Sequence, residues 1–155
     1  VSAPLAVLRP EPGNAATCAR ATAAGFETIS LPLFAVQALA WDLPRAAAFD
    51  ALILTSANAL RFAGAGLSGL TALRVLAVGP HTAAAAREAG FDVMAVGGGD
   101  GAEIAALAVE QGVSRALHLT GRDRTLSAGG PIAQVIPVYE SAAVPVDPVR
   151  LQALV

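Results

Sequence analysis

Short apolar runs, each followed by a turn and a helix-length segment, recur through this 155-residue chain and constrain its fold more than any other feature. Residues 51–54, 75–78, 93–96 and 116–119 are such runs, and none alternates cleanly between apolar and polar positions. A strand covered on both faces reads this way, whereas a strand with one wet face alternates. Between the runs lie helix-length segments: from Ser56 to about Ala63, from Pro80 to a stop at Gly90, and from about Ala102 to Gln111 with Gly112 after it. Proline at a helix start and glycine just past its end are the expected punctuation. The beginning of the chain repeats the theme, with a strand over 5–8, a helix over 14–24 capped by Asn14 and stopped by Gly25, and a strand over 28–31. Residues 33–39 are strand-like with no turn before them, and Trp41, Asp42, Leu43 and Pro44 read as a crossing between two bodies. A last strand over 135–139 is limited by Pro137 to a sheet edge or a strand end. The expectation is an α/β fold of parallel βαβ units.

Composition removes several function classes. The longest stretch without Asp, Glu or Arg, residues 125–139, is broken by Gly129, Gly130, Pro131 and Pro137. A membrane-spanning helix needs about 18 or more consecutive apolar residues, so no span is expected. No basic segment followed by a long apolar run opens the chain, so no signal peptide is expected either. The formal net charge is -2, and the ten basic residues, all arginine, are scattered. A nucleic-acid surface shows a basic excess, so nucleic acid drops out as a partner. The single cysteine, Cys18, permits neither an internal disulfide nor a cysteine-based zinc cluster, and fits a reducing compartment. No metal site is expected.

Chemistry gathers where strands end. The first run of the second series is followed by Thr55, Ser56, Ala57 and Asn58, the next by Gly79, Pro80, His81 and Thr82, and a later one by Thr120, Gly121, Arg122, Asp123 and Arg124. In open α/β sheets ligands bind beyond the carboxyl ends of the strands. Hydroxyls and unpaired N–H groups at helix starts favour anionic oxygens, and arginine adds a fork that grips carboxylate or phosphate. Each of Ser56, Asn58 and Thr82 taken alone reads as a helix cap. Three such ends together point to an anion-rich ligand.

Other signals are weaker. Gly97, Gly99 and Ala102 match G-x-G-x-x-A, but Thr120 stands where a dinucleotide site would carry an acid at the end of the next strand. His118 lies within an apolar run and reads as a core residue, Cys18 as a small buried hydrophobe. Tyr139, the single tyrosine, stands beside Glu140 at the end of the last strand.

Taken in order, these motifs resemble a known family. Leu8-Arg9-Pro10-Glu11-Pro12-Gly13, Leu31-Pro32-Leu33 and Asp50-Ala51-Leu52-Ile53-Leu54-Thr55-Ser56-Ala57-Asn58-Ala59 look like the opening of uroporphyrinogen-III synthase. The resemblance continues through Ala77-Val78-Gly79-Pro80-His81-Thr82-Ala83, His118-Leu119-Thr120-Gly121-Arg122-Asp123-Arg124 and Val138-Tyr139-Glu140. It implies two flavodoxin-like parallel-sheet domains joined by a two-strand connector. Residues 1–33 would begin a discontinuous first domain, 34–41 form the first connector, 42–137 the inserted second domain, 138–146 the return connector and 147–155 the re-entry into the first. On this reading the first domain is incomplete in this sequence.

The resemblance implies cofactor-free conversion of hydroxymethylbilane, a linear octacarboxylate tetrapyrrole, into uroporphyrinogen III in heme biosynthesis. Water is lost, the macrocycle closes and the last pyrrole ring is inverted, a lyase reaction. Tyr139 matches the favoured acid, Thr82 and Ser56 match recurrent substrate contacts, and Arg9, Thr55, Asn58, Gly79, Gly121 and Arg122 join them as substrate-binding candidates. A cytoplasmic monomer is implied, with transient contact to the preceding enzyme, hydroxymethylbilane synthase. Two alternatives stand beside it: a non-catalytic tetrapyrrole-binding module, and a nucleotide-binding α/β module using residues 97–101.

Overall fold

The computed structural model describes residues 3–146 and 148, and the expected re-entry over 147–155 falls, apart from residue 148, outside the described residues. Twelve strands and α-helices occur among the described residues: β1 Leu5–Val7, α1 Gly13–Ala23, β2 Thr28–Ser30, β3 Phe34–Ala38, β4 Ala51–Leu54, α2 Ala57–Phe62, β5 Arg74–Ala77, α3 Pro80–Glu88, β6 Val93–Val96, α4 Gly101–Glu110, β7 Ala116–Gly121 and β8 Ile132–Ala143. The chain divides into two compact units, Val1–Gln37 with Ser141–Val155, and Ala38–Glu140. It leaves the first unit along β3 and returns along β8.

The first unit holds a parallel pair, with Leu5 opposite Thr28 and Val7 opposite Ser30, linked through α1. Asn14 does not cap this helix. It sits inside α1, fully buried, donating from Nδ2 to the carbonyls of Val7 (2.7 Å) and Arg9 (3.0 Å). Its Oδ1 accepts from the Ser30 hydroxyl at 2.7 Å, so one amide ties the helix to both strands. Cys18 is half-buried, with Sγ 3.5 Å from the same Oδ1. An asparagine can satisfy several neighbours at once, and burial here outweighs its capping preference.

The second unit is built on a parallel-dominated sheet. The whole sheet runs β3-β8-β7-β4-β5-β6, and the β4–β5, β4–β7, β5–β6 and β7–β8 pairs are parallel. Counted in their own chain order, the five strands β4 to β8 lie 3-2-1-4-5 across the sheet. This is a doubly wound order with its reversal between β4 and β7, and it differs from the 2-1-3-4-5 order of flavodoxin itself. The flavodoxin-like expectation is corrected in that respect. Where the order reverses, adjacent crossovers leave on opposite faces and a crevice opens at the strand ends.

The four residues of β4 show why the runs read as continuously apolar. Leu52 and Leu54 pack with Ala59, Ala63, Ala83 and Ala86 of the α2–α3 side, while Ala51 and Ile53 pack with Ile104 and Ala108 of α4. Each fully buried Leu or Ile contributes about 1.5–3 kcal/mol of transfer free energy. Gly25, Gly90 and Gly112 follow α1, α3 and α4 at φ of +88°, +88° and +76°, in the left-handed region that lets the chain leave a helix. Asp50, just before β4, accepts from the backbone N–H groups of Ser114 (2.9 Å) and Arg115 (3.1 Å) and from the Ser114 hydroxyl (3.1 Å). Burial raises its carboxyl pKa, but these bonds outweigh it and the net shift is downward. Trp41 belongs to this unit, packing on the α2–α3 side and donating from Nε1 to the Ala63 carbonyl at 2.8 Å.

The last strand departs from expectation. β8 runs for twelve residues between β3 and β7. β3 lies opposite its later part only, since the Leu39 N–H donates to the Val138 carbonyl and the Val144 N–H to the Leu33 carbonyl. Pro137 pairs with Thr120 of β7 and precedes the part that β3 covers, so its missing N–H costs the β3 side nothing and the strand is locally an edge there.

Candidate functional site

The carboxyl ends of β4 and β7, Tyr139 within β8 and the loop before α4 border an open cavity of about 540 Å³ within the second unit. Thr55, Ser56, Val78, Gly99, Gly101, His118 and Thr120 line it, with the segment from Asp123 to Leu126 and Tyr139 completing the wall. Each polar group arrives by a local rule. Thr55 and Ser56 follow β4, and Ser56 caps α2 by accepting from the Asn58 N–H at 3.2 Å. Thr120 is the penultimate residue of β7, and the turn after it brings Arg124 round, its Nη1 donating to the Arg122 carbonyl at 3.1 Å.

Tyr139 is held from both sides. Its ring lies 6.3 Å from that of Phe62, tilted by 38°. A Cβ on Gly121 would approach the tyrosine ring to 2.8 Å, closer than real contacts allow, so glycine there is a condition of the tyrosine's position. The Tyr139 carbonyl accepts from the Arg122 N–H at 2.9 Å, and the Arg122 guanidinium forms an ion pair with Glu140. Arg122 thus frames the tyrosine's backbone, while Arg124 lines the cavity.

His118 is buried to 1% exposure, as a core reading requires, yet it forms part of the cavity lining. Its Nε2 is 3.2 Å from Thr55 Oγ1. Burial pushes the imidazole pKa down to about 4, and the Arg124 charge acts in the same direction. The ring is neutral at physiological pH.

The structure therefore brings together Tyr139, Thr55 and Ser56 from the sequence-derived candidates, with Gly121 directly behind the tyrosine ring. Thr82 is 5% exposed within α3, Gly79 is the residue before that helix, and Asn58 receives a contact from Arg61 at 3.4 Å; none of the three lines the cavity. Arg9 lies in the first unit, where it donates to the Thr17 hydroxyl at 3.3 Å. Sequence reasoning missed His118, read as a core residue, and named Thr120 and Arg124 as strand-end chemistry without counting them among the binding candidates. Gly99 and Gly101 entered only through the nucleotide-binding alternative, although the strand-end rule applied to β6 points to them as well.

The glycine loop does not read as a phosphate cradle. Glu103 accepts from the Gly98 N–H at 3.0 Å and Asp100 from the Ala102 N–H at 3.0 Å. The chain's own carboxylates thus hold the start of α4 and repel a phosphate there. Among the described residues no group of three or more His, Cys, Asp or Glu could hold a metal ion, and no helix is long and apolar enough to cross a membrane.

Two solved structures are similar in fold: a mutant uroporphyrinogen III synthase from the extremely thermophilic bacterium Thermus thermophilus, at TM-score 0.61 and 20% identity over 97% of this chain, and uroporphyrinogen-III synthetase from Helicobacter pylori 26695, at TM-score 0.63 and 20% identity over 100% of it. The chain spans 66% and 68%, respectively, of those two chains. A search of curated proteins returned no match. The family model of uroporphyrinogen-III synthase HemD matches residues 15–155, and the chain belongs to that family, whose name is that of an enzyme of tetrapyrrole synthesis.

Proposed function

We propose that this protein cyclises hydroxymethylbilane to uroporphyrinogen III with loss of water and inversion of the last pyrrole ring, a hydro-lyase reaction of heme biosynthesis. Family membership supports the reading, and one observation carries it: Tyr139 shares a cavity wall with the hydroxyls of Thr55, Ser56 and Thr120 and the Arg124 guanidinium. Uncharged donors beside an arginine suit the acetate and propionate carboxylates of the substrate. The phenol is the one proton donor of this wall suited to assist departure of the hydroxyl group. The azafulvene-type cation that remains is reactive, so the protein's further task is to hold the ends of the chain for attack at the substituted ring carbon.

In this proposal Tyr139 is the acid, and Thr55, Ser56 and the framing residues Gly121 and Arg122 form the nearer part of the binding surface. Arg9, Asn58 and Gly79 contribute by family resemblance, while Thr82, buried within α3, contributes little through its side chain. The proposal includes a two-domain arrangement, with 42–137 as the inserted domain between the connectors 34–41 and 138–146, and 1–33 and 147–155 belonging to the other domain. It takes the protein to be a cytoplasmic monomer without a cofactor that meets hydroxymethylbilane synthase transiently. The test is isomer analysis: the full chain, given hydroxymethylbilane, should yield oxidised product dominated by isomer III. Formation of the uninverted I isomer alone would refute the function.

A further inference from the structure

Among the described residues one buried side-chain nitrogen or oxygen lacks a hydrogen-bond partner: His118 Nδ1. The other ring nitrogen, Nε2, lies 3.2 Å from Thr55 Oγ1, and Thr55 stands on the cavity wall. A neutral imidazole carries its proton on one nitrogen, so two arrangements are open. With the proton on Nδ1, an N–H donor would be buried with no acceptor, and the Thr55 hydroxyl would spend its own proton on Nε2. With the proton on Nε2, the atom left unpaired is an acceptor lone pair, and the Thr55 oxygen receives a hydrogen bond. Orphaned buried N–H groups are the rarer and costlier defect. That selects the Nε2–H form.

We infer that His118 is a positioning residue that sets the polarity of Thr55: its Nε2–H donates to Oγ1, and the freed hydroxyl proton of Thr55 is directed into the cavity at a carboxylate oxygen of the ligand. A threonine hydroxyl can face a ligand as donor or acceptor, and a carboxylate offers only acceptors. A residue beneath it that has already filled one acceptor site removes that ambiguity before the ligand arrives. Preorganisation of this kind raises affinity for an anionic oxygen without any new contact to it. The inference rests on the proposed carboxylate-binding role of this cavity for its ligand, but its first readout needs no ligand.

The chain contains two histidines, so the ¹⁵N imidazole spectrum of the full chain is assignable with His81→Gln alone. The expected spectrum near pH 7 shows His118 protonated at Nε2 and bare at Nδ1; the opposite tautomer would overturn the inference. The second readout is binding of uroporphyrin I, an oxidised octacarboxylate that does not react. Thr55→Val and His118→Phe should each weaken it by about tenfold, the scale of one hydrogen bond to a charged group. The double variant should be no weaker than either single one, because both remove the same donor. His118→Gln, whose amide nitrogen replaces Nε2, should stay within about threefold of the parent, whereas a pair of losses that simply add would count against coupling. Should His118→Phe fold poorly, the tautomer and His118→Gln still decide the matter. Absence of uroporphyrin binding to the parent would end the proposed function, and the tautomer would continue to decide this inference.

Discussion

Two strand ends of the same parallel sheet carry nearly the same sequence grammar and meet different fates. After β4 come Thr55 and Ser56, both on the cavity wall; after β5 come Gly79 and, inside α3, Thr82, which is 5% exposed and off that wall. β4 lies at the point where strand order reverses, with β7 on one side and β5 on the other. β5 lies between β4 and β6, one step removed from the reversal. A hydroxyl at a switch point looks into a crevice, and a hydroxyl one strand away can be absorbed by its own helix. The end of β5 still lends Val78 and the loop after β6 lends Gly99 and Gly101 to the wall, so what separates the two ends is which of them leaves a hydroxyl outside its own helix.

The sharpest way to test that distinction is to remove chemistry from the reversal itself. Tyr139→Phe keeps the ring between Phe62 and Gly121 but deletes the proton donor, and should lower the rate of isomer III formation by about 10²-fold or more, with thermal stability nearly unchanged. A variant of near-normal rate would remove the tyrosine from its proposed role.

The next effect comes from acid. His118 titrates at about 4 in the folded protein, against an ordinary value near 6.5 in the unfolded chain. Its folded pKa is depressed, so the neutral ring's contribution to stability is complete above about pH 6.5 and is lost as pH falls toward 4. The whole shift corresponds to about 3 kcal/mol. Urea unfolding across that window should show a steep loss of stability, and His118→Gln should flatten it. An unchanged slope in the variant would assign the acid sensitivity to other groups.

The smallest effect separates the two strand ends directly. Ser56→Ala should weaken uroporphyrin I binding by about tenfold and, through the lost cap of α2, cost about 1 kcal/mol of stability. Thr82→Val should change binding by less than about threefold, since its side chain is buried within α3. Equal losses of affinity would erase the contrast between the two strand ends.

Much of this was legible in the residues. Apolar runs flanked by helix punctuation specify buried parallel strands, and each of β4, β5, β6 and β7 formed within a few residues of its run. Thr55 and Ser56 were recognisable because the strand-end rule needs only chain order, whereas Tyr139 was singled out by the family resemblance. Asn14 was misread because a capping residue and a buried hydrogen-bonding hub look identical in sequence. The choice between them depends on Val7, Arg9 and Ser30 being at hand. The length of β8 was not legible for a similar reason, since its continuation past Tyr139 depends on pairing with β3, far earlier in the chain.

By itself, then, the amino-acid sequence determined which segments are strands, which are helices and what chemistry follows each strand, because propensity, capping and apolar patterning act over a few neighbouring residues. Tertiary structure alone decided that the ends of β4 and β7 lie beside Tyr139 within β8, that Gly121 leaves room for the Tyr139 ring, and that His118 lies under Thr55, 63 residues away along the chain. The physical reason is that strand order and register are set by long-range packing on both faces of the sheet, and no local signal encodes which strand ends will share a crevice.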